Sequence, residues 1–252
     1  MNKWVLGLAV ALVVAPVRAD DAGDAKAVVT KAIEAHGGAT ALGKYKAGFS
    51  KIKGQMTVFG MDLDFTGDMT YELPNKYKLT ISTDVNGQKL AVEQVTDGKN
   101  FKNTLNGMAV KQTDAEKNEL AQAALLQDVT QLTPLLVGDK YTLKAEKDAT
   151  VDDKPASVVT VSSKELKETR LFFDKKTGLL VKTERKALSP SAPGETKEVN
   201  EETFLSDFKE ADGVKLPMKL LVNHDGKKFM SMTVTETKLM DKAEPKTFDI
   251  AD

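Results

Sequence analysis

The polar and apolar residues of this chain change rhythm once near the start, then keep a two-residue beat almost to the end. Over residues 25–36, Val28, Val29, Ala32, Ile33 and Ala35 recur at helical spacing. Asp24 can cap the start and Gly37-Gly38 supplies a left-handed stop, so the spacing predicts one amphipathic helix. From residue 55 the beat is two. Across 55–73, Met61, Leu63, Phe65, Met69 and Tyr71 share one face, while Asp62, Asp64, Asp68 and Glu72 share the other. Tyr77, Leu79 and Ile81 then alternate with Lys76, Lys78 and Thr80. Each stretch reads as a strand with one dry and one wet face, as in an antiparallel sheet. Asn86-Gly87, Asp97-Gly98 and Asn106-Gly107 tolerate the positive φ of tight turns. They predict a meander over 76–111.

A helical period interrupts over 113–136. Thr113 and Glu116 form a capping box. Leu120, Ala123, Ala124 and Leu125 lie on one face, and Pro134 marks the expected end. Strands are expected again over 140–147, 156–163, 168–174 and 178–187, with a loop over 188–197 and a second meander after it. Pro217 cannot donate to a ladder, so its strand is expected at an edge or bulged there. In LFFDKKTGLLVKTE (171–184), Asp174 starts a turn that Gly178 closes. Phe172 and Phe173 must point to opposite faces. The pattern predicts one domain over 20–252, mainly β. It is a single curled antiparallel sheet of about ten to twelve strands, since open sheets that large curl or close. An N-terminal and a mid-chain helix are available to cover it.

Residues 1–19 change the picture of where this domain works. Lys3, the apolar run 4–17 and the small residues Val17 and Ala19 read as a signal peptide cleaved after Ala19, hence export to the periplasm. No later run approaches the roughly 18 apolar residues of a spanning helix. The sequence has no cysteine, so acylation at the cleavage site, disulfides and a thiol nucleophile are ruled out. Formal net charge is −1. After residue 19 the only arginines are Arg170 and Arg185. Arginine forks onto phosphates and stacks on bases, so this balance argues against nucleic acid.

Candidate chemistry is sparse. His36 ends the first helix, where a histidine suits the helix dipole. His224 sits at an expected hairpin tip beside Asp225. Asp62, Asp64 and Asp68 read as a wet strand face rather than a metal site. Nucleophile-elbow, phosphate-loop and zinc-protease patterns do not occur. No catalytic residue, cofactor site or metal site is assigned, and the expectation is a protein that is not an enzyme.

What remains is apolar surface. Of nine methionines, seven fall in the first and last strand pairs: Met56, Met61, Met69, Met218, Met230, Met232 and Met240. Methionine fills gaps in a core, and it also serves surfaces that accept varied apolar ligands. Both readings stand. If the concave face binds a ligand, its wall is expected from Met56, Val58, Met61, Leu63, Phe65 and Met69, then Leu79 and Ile81. Leu120 and Leu125 would face it from the mid-chain helix, and Phe173, Met230 and Met232 from the later strands.

A helix ending AHGG, a first hairpin VFG…F-x-x-x-M-x-Y-E-x-P-N-K, and the later FFDKKTGLLVK and DFKEADGVKLPMKL resemble the exported LolA-like proteins. These are often described as outer-membrane lipoprotein-sorting proteins, and the likeness is to the longer versions in environmental bacteria. It spans about residues 25–250. The resemblance implies an unclosed β-barrel lidded by helices, whose apolar inside holds acyl chains of lipoproteins or other lipids. The family's lid-latching arginine has no counterpart in the first half of the mature chain, and the only candidates for it are Arg170 and Arg185. The function so implied is a monomeric periplasmic carrier of lipid or acylated lipoprotein, with residues 114–127 as lid. The alternative is a non-enzymatic envelope module with a filled core that binds a protein partner or senses stress.

Overall fold

Residues 21–192 and 195–250 are described in a computed structural model of the chain. The cleavage site expected after Ala19 lies outside them. Helix α1 (Asp21–Ala35) buries Ala25, Val29, Ala32 and Ile33, as its spacing predicts, and a short α2 (Ala39–Lys44) follows. Gly37, between them, has φ of 124°, a conformation that suits only glycine. A Cβ there would also lie 2.0 Å from the Gly213 carbonyl oxygen.

Strands β1 (Ala47–Val58), β2 (Met61–Glu72), β3 (Lys76–Val85), β4 (Gln88–Thr96), β5 (Phe101–Leu105) and β6 (Met108–Ala109) form the first meander. The stretch 55–73, expected as one strand, is broken by a turn at Phe59-Gly60. Phe-Gly is a poor turn signal. Only the change of phase, from even Met56 and Val58 to odd Met61 and Leu63, marks the hairpin. Helix α3 (Asp114–Thr130) has the expected capping box: the Glu116 N–H donates to Thr113 Oγ1 at 3.2 Å, and the Thr113 N–H donates to Glu116 Oε2 at 2.7 Å. It stops four residues before Pro134, which opens a 3-10 turn, Thr133–Leu136.

The second meander is β7 (Thr142–Val151), β8 (Lys154–Ser162), β9 (Thr169–Asp174), β10 (Leu180–Ala192), β11 (Glu195–Ala211), β12 (Val214–His224) and β13 (Lys227–Met240). The expected loop 188–197 is instead the far ends of β10 and β11, with Leu188 opposite Glu198 and Pro190 opposite Thr196. Pro190 is tolerated because β9 pairs with β10 only as far as Arg185, and its nitrogen faces that unpaired side, as the Leu188 N–H does.

All thirteen strands form one antiparallel sheet in the order β6-β5-β4-β3-β2-β1-β13-β12-β11-β10-β9-β8-β7. The extra hairpin and the two-residue β6 take the count past the expected range. First and last strands pair at the centre, from Ala47 opposite Met240 to Met56 opposite Met230. The chain winds outward to β6, crosses by α3 to the other edge at β7, and winds back. Among the described residues nothing pairs β6 with β7, so the barrel is unclosed.

The two helices divide the concave face. α1 packs on the β7–β9 flank, where Val29 and Ala32 join Val159, Val161, Leu171 and Phe173 in the largest core. α3 covers the other flank, setting Leu120 and Ala124 against Tyr71 and Tyr77. Phe172 takes the opposite face from Phe173, with Val158 and Phe204. There Arg170 and Lys182 each stand 4.9 Å from its ring centre. Burial pulls the Lys182 pKa down, but Glu184 and Glu202, both at 2.6 Å, outweigh it and the net shift is upward.

Near the α1 end, β12 and β13 part company. Their ladder begins only at Lys219 opposite Thr233. Lys215 instead donates its N–H to the His36 carbonyl at 2.9 Å, and its own carbonyl lies 3.0 Å from His36 Nδ1. Pro217, two residues on, faces the same unpaired side and owes it no donor. So β12 is interior to the sheet but locally an edge. The Leu180 N–H donates to His36 Nε2 at 3.1 Å, which puts the ring proton on Nδ1. His36 therefore staples β12 to β10 as a neutral imidazole, rather than only ending a helix.

Burial holds the His36 pKa below its usual 6.5. As pH falls below 6.5 the unfolded chain takes a proton that the folded chain refuses, so stability falls. The expected slope from this group is at most about 1.4 kcal/mol per pH unit. Urea unfolding at stepwise lower pH should show it in the wild type. His36→Gln should be less stable at neutral pH and should lack that component.

A lidded cavity as candidate functional site

Between α3 and the sheet lies a cavity of about 330 Å³. Met69, Leu205, Leu220, Phe229, Met230 and Met232 line it from the strands, and Ala123 and Leu126 from α3. Carbon dominates the wall. One end reaches the seam where β12 and β13 diverge, with Leu216 and Pro217 on one side and Val234 and Leu239 on the other. Two wider hollows, of about 710 and 700 Å³, are open to solvent. One lies beside the 3-10 turn and the other on the convex face, so neither is covered by α3 as the lidded one is.

The lid is held by polar contacts. Arg185, on β10, sits on the cavity wall between two carboxylates. Its Nη1 lies 2.6 Å from Glu119 Oε1 on α3, close but poorly aligned for a hydrogen bond. Its Nε donates to Glu201 Oε1 at 2.8 Å. Glu119 also accepts the Leu188 N–H at 3.1 Å. Burial works against the Arg185 charge, but Glu201 and Glu119 outweigh it and raise its pKa. Burial likewise raises the Glu201 pKa, yet His224 and Arg185 bring it below the usual carboxylate value. Further along α3, the Gln122 side chain donates to the Glu165 carbonyl at 2.7 Å and accepts the Lys167 N–H at 2.8 Å. Gln131 donates to Tyr71 Oη at 2.7 Å. Burial pushes the Tyr71 pKa up to about 12.

His224 stacks on Phe229 with ring centres 4.0 Å apart. Its Nδ1 lies 2.9 Å from Ser189 Oγ and its Nε2 3.3 Å from Glu201 Oε2. Serine, histidine and carboxylate thus stand in hydrogen-bond reach, as in acyl-transfer sites. Here Ser189 is only 5% exposed and lies beyond Arg185, off the cavity wall. The carboxylate is already committed to Arg185. The arrangement braces strands and presents no accessible nucleophile. Among the described residues, no cluster of three or more His, Cys, Asp or Glu could hold a metal ion.

The structure distributes the sequence-expected wall residues over several places. Met69, Met230 and Met232 line the cavity. Met56, Phe65, Leu79 and Ile81 gather beside it around Met232. Leu120 packs on Tyr71 and Tyr77, while Leu125 and Phe173 belong to the core under α1. Val58, Met61 and Leu63 lie on the β1–β2 hairpin beyond it. Sequence reasoning put Ala123 on the apolar face of the mid-chain helix but did not name it, Leu126, Leu205, Leu220 or Phe229 as wall, nor did it join Glu119, Arg185 and Glu201. Alternation in 216–222 could have suggested Leu220. No sequence signal joins residues 119, 185 and 201.

At the level of sequence, no family model and no curated protein matches the chain. Solved structures do match. A LolA superfamily protein from Nitrosomonas europaea superposes with a TM-score of 0.57 at 10% identity, covering 89% of this chain and 97% of that one. An outer membrane lipoprotein-sorting protein domain from Vibrio parahaemolyticus gives 0.56 at 10% identity, over 90% and 97%. A DUF1329 family protein from Desulfovibrio piger gives 0.53 at 12% identity, over 90% and 97%. At these identities the likeness is one of fold, and it extends over nearly the whole chain.

Proposed function

We propose that this chain, which has the fold of the LolA superfamily, is a periplasmic carrier for the acyl chains of a lipid or acylated lipoprotein. The observation that carries the reading is the carbon-lined cavity of about 330 Å³ beneath a helix tied down by polar side chains. Its size falls in the range of ligand pockets, roughly 300–1,000 Å³. Domain 20–252 is the carrier, working as a monomer after loss of residues 1–19.

The mechanism is transfer of methylene groups from water to the concave wall. Each contributes about 0.8 kcal/mol, so about eight would give an affinity on the order of tens of micromolar. Lid opening fits the same chemistry. The groups that α3 would release, Glu119, Arg185, Gln122 and Gln131, can all be rehydrated by water. Separating a purely apolar interface would have no such compensation. No step requires a nucleophile or metal.

Titration with a hydrophobic fluorescent dye, N-phenyl-1-naphthylamine, tests the reading. Saturable binding that palmitate displaces is the expected result. No saturable binding would overturn it and leave a filled-core module that acts through a protein partner.

A further inference from the structure

Six hairpins turn on two residues that both have positive φ. Five begin with Asn or Asp: Asn86, Asn106, Asp152, Asp212 and Asp225. Those side chains tolerate the left-handed region. The sixth begins with Phe59, at φ 51°, where a bulky residue is strained. Phe59 gains no burial in return: it is 46% exposed, and Met61 after it is 44% exposed. A local rule broken at an exposed apolar tip points to a task outside folding.

The hairpin also stands clear of its neighbours. β1 last pairs with β13 at Met56, and β2 first pairs with β3 at Phe65. Beyond those points Thr57 and Val58 pair only with Asp62 and Met61, and Leu63 and Asp64 pair only with Met56 and Gln55 of β1. One face of this finger is apolar, with Val58 opposite Met61 and Met56 opposite Leu63. It is the same sheet face that carries Met69 into the cavity, because side chains alternate strictly along a strand. An apolar track therefore runs from the cavity wall past Phe65 and Leu63 to Phe59. The other face is polar, where Asp62 accepts from Thr57 and Asp64 from Gln55.

We propose that the Phe59-Gly60-Met61 tip inserts into the interface of a lipid bilayer, and that the apolar track leads an acyl chain between bilayer and cavity. The second half rests on the carrier reading. Charges of both signs rim the tip, exposed Asp62 and Asp64 on the hairpin itself among them, as suits the zwitterionic headgroups of a bilayer. Exposed Lys89 flanks it from the β3–β4 turn, and exposed Lys227 and Lys228 from the β12–β13 turn. The acids of those two turns keep their negative charge while shaping the turns: Asp84 accepts the Gly87 N–H and Asp225 the Asn200 N–H. An aromatic tip between lysines and aspartates suits phosphate and ammonium headgroups lying over acyl chains.

The test is Phe59→Asn, which restores the turn residue used elsewhere in the sheet. Flotation with vesicles of phosphatidylethanolamine and phosphatidylglycerol should bring up the wild type, and the variant at least tenfold less. The variant's thermal midpoint should be equal or higher, so lost binding cannot be lost folding. Vesicle binding unchanged by Phe59→Asn, or no binding by the wild type, would overturn the proposal. Dye binding to the cavity, measured on both proteins, judges the carrier reading separately. If neither protein binds dye but only the wild type floats, the tip stands and the carrier reading falls.

Discussion

Arg185→Ala is expected to lower the unfolding free energy by about 3–5 kcal/mol, the usual cost of removing one partner from a buried ion cluster. Arg185 is the cation that Glu119 on α3 and Glu201 on β11 share. Without it, Glu119 loses its ion-pair partner and Glu201 keeps only His224, at 3.3 Å. Two internal checks follow. Adding Glu201→Gln should recover part of the loss, because it removes one uncompensated charge. The loss should also shrink in acid, where protonated carboxylates no longer repel. In the wild type the sign is opposite: the Glu201 pKa is depressed below 4.5, so its contribution is held above that pH and lost as pH falls through the lowered value. Urea denaturation at pH 7 and below measures all three proteins. A cost under about 1 kcal/mol, the size of a surface pair, would contradict the buried cluster.

Ala123→Trp is expected to weaken dye and palmitate binding at least tenfold while leaving the fold intact. Ala123 faces the cavity from α3 and is only half-buried, so an indole there has space to enter without displacing core. It would occupy volume that the ligand needs. Titration of the variant beside the wild type, with circular dichroism on both, checks this. Equal affinity would place the ligand elsewhere, on one of the open hollows.

Much of the fold was legible because it rests on short-range rules. Val29, Ala32 and Ile33 declared α1 through their spacing, and Thr113 with Glu116 declared the start of α3. The Asn-Gly pairs marked two turns that form as read. Errors fell where tertiary context overrides local preference. Phe59 turns the chain although phenylalanine is a poor turn former. The Ser- and Pro-rich 188–197 stays in the sheet because β11 pairs with it. His36 looked like a helix end and is a bridge to Lys215 and Leu180. The site itself was half legible. The methionine-rich strands pointed to the apolar face, and Met69, Met230 and Met232 do meet there. The polar ties of the lid were not readable, since residues 119, 185 and 201 come together only once the sheet order is known. Arg185 could be named in advance only as one of two candidates, with Arg170, for the family's latching arginine.

Native mass spectrometry of the protein, purified from the periplasm of its own host without detergent, tests the carrier account most directly. The account predicts a second population heavier by the mass of one lipid or acyl chain, released when a displacing fatty acid is added. A single unliganded species, together with no saturable dye binding, would contradict it.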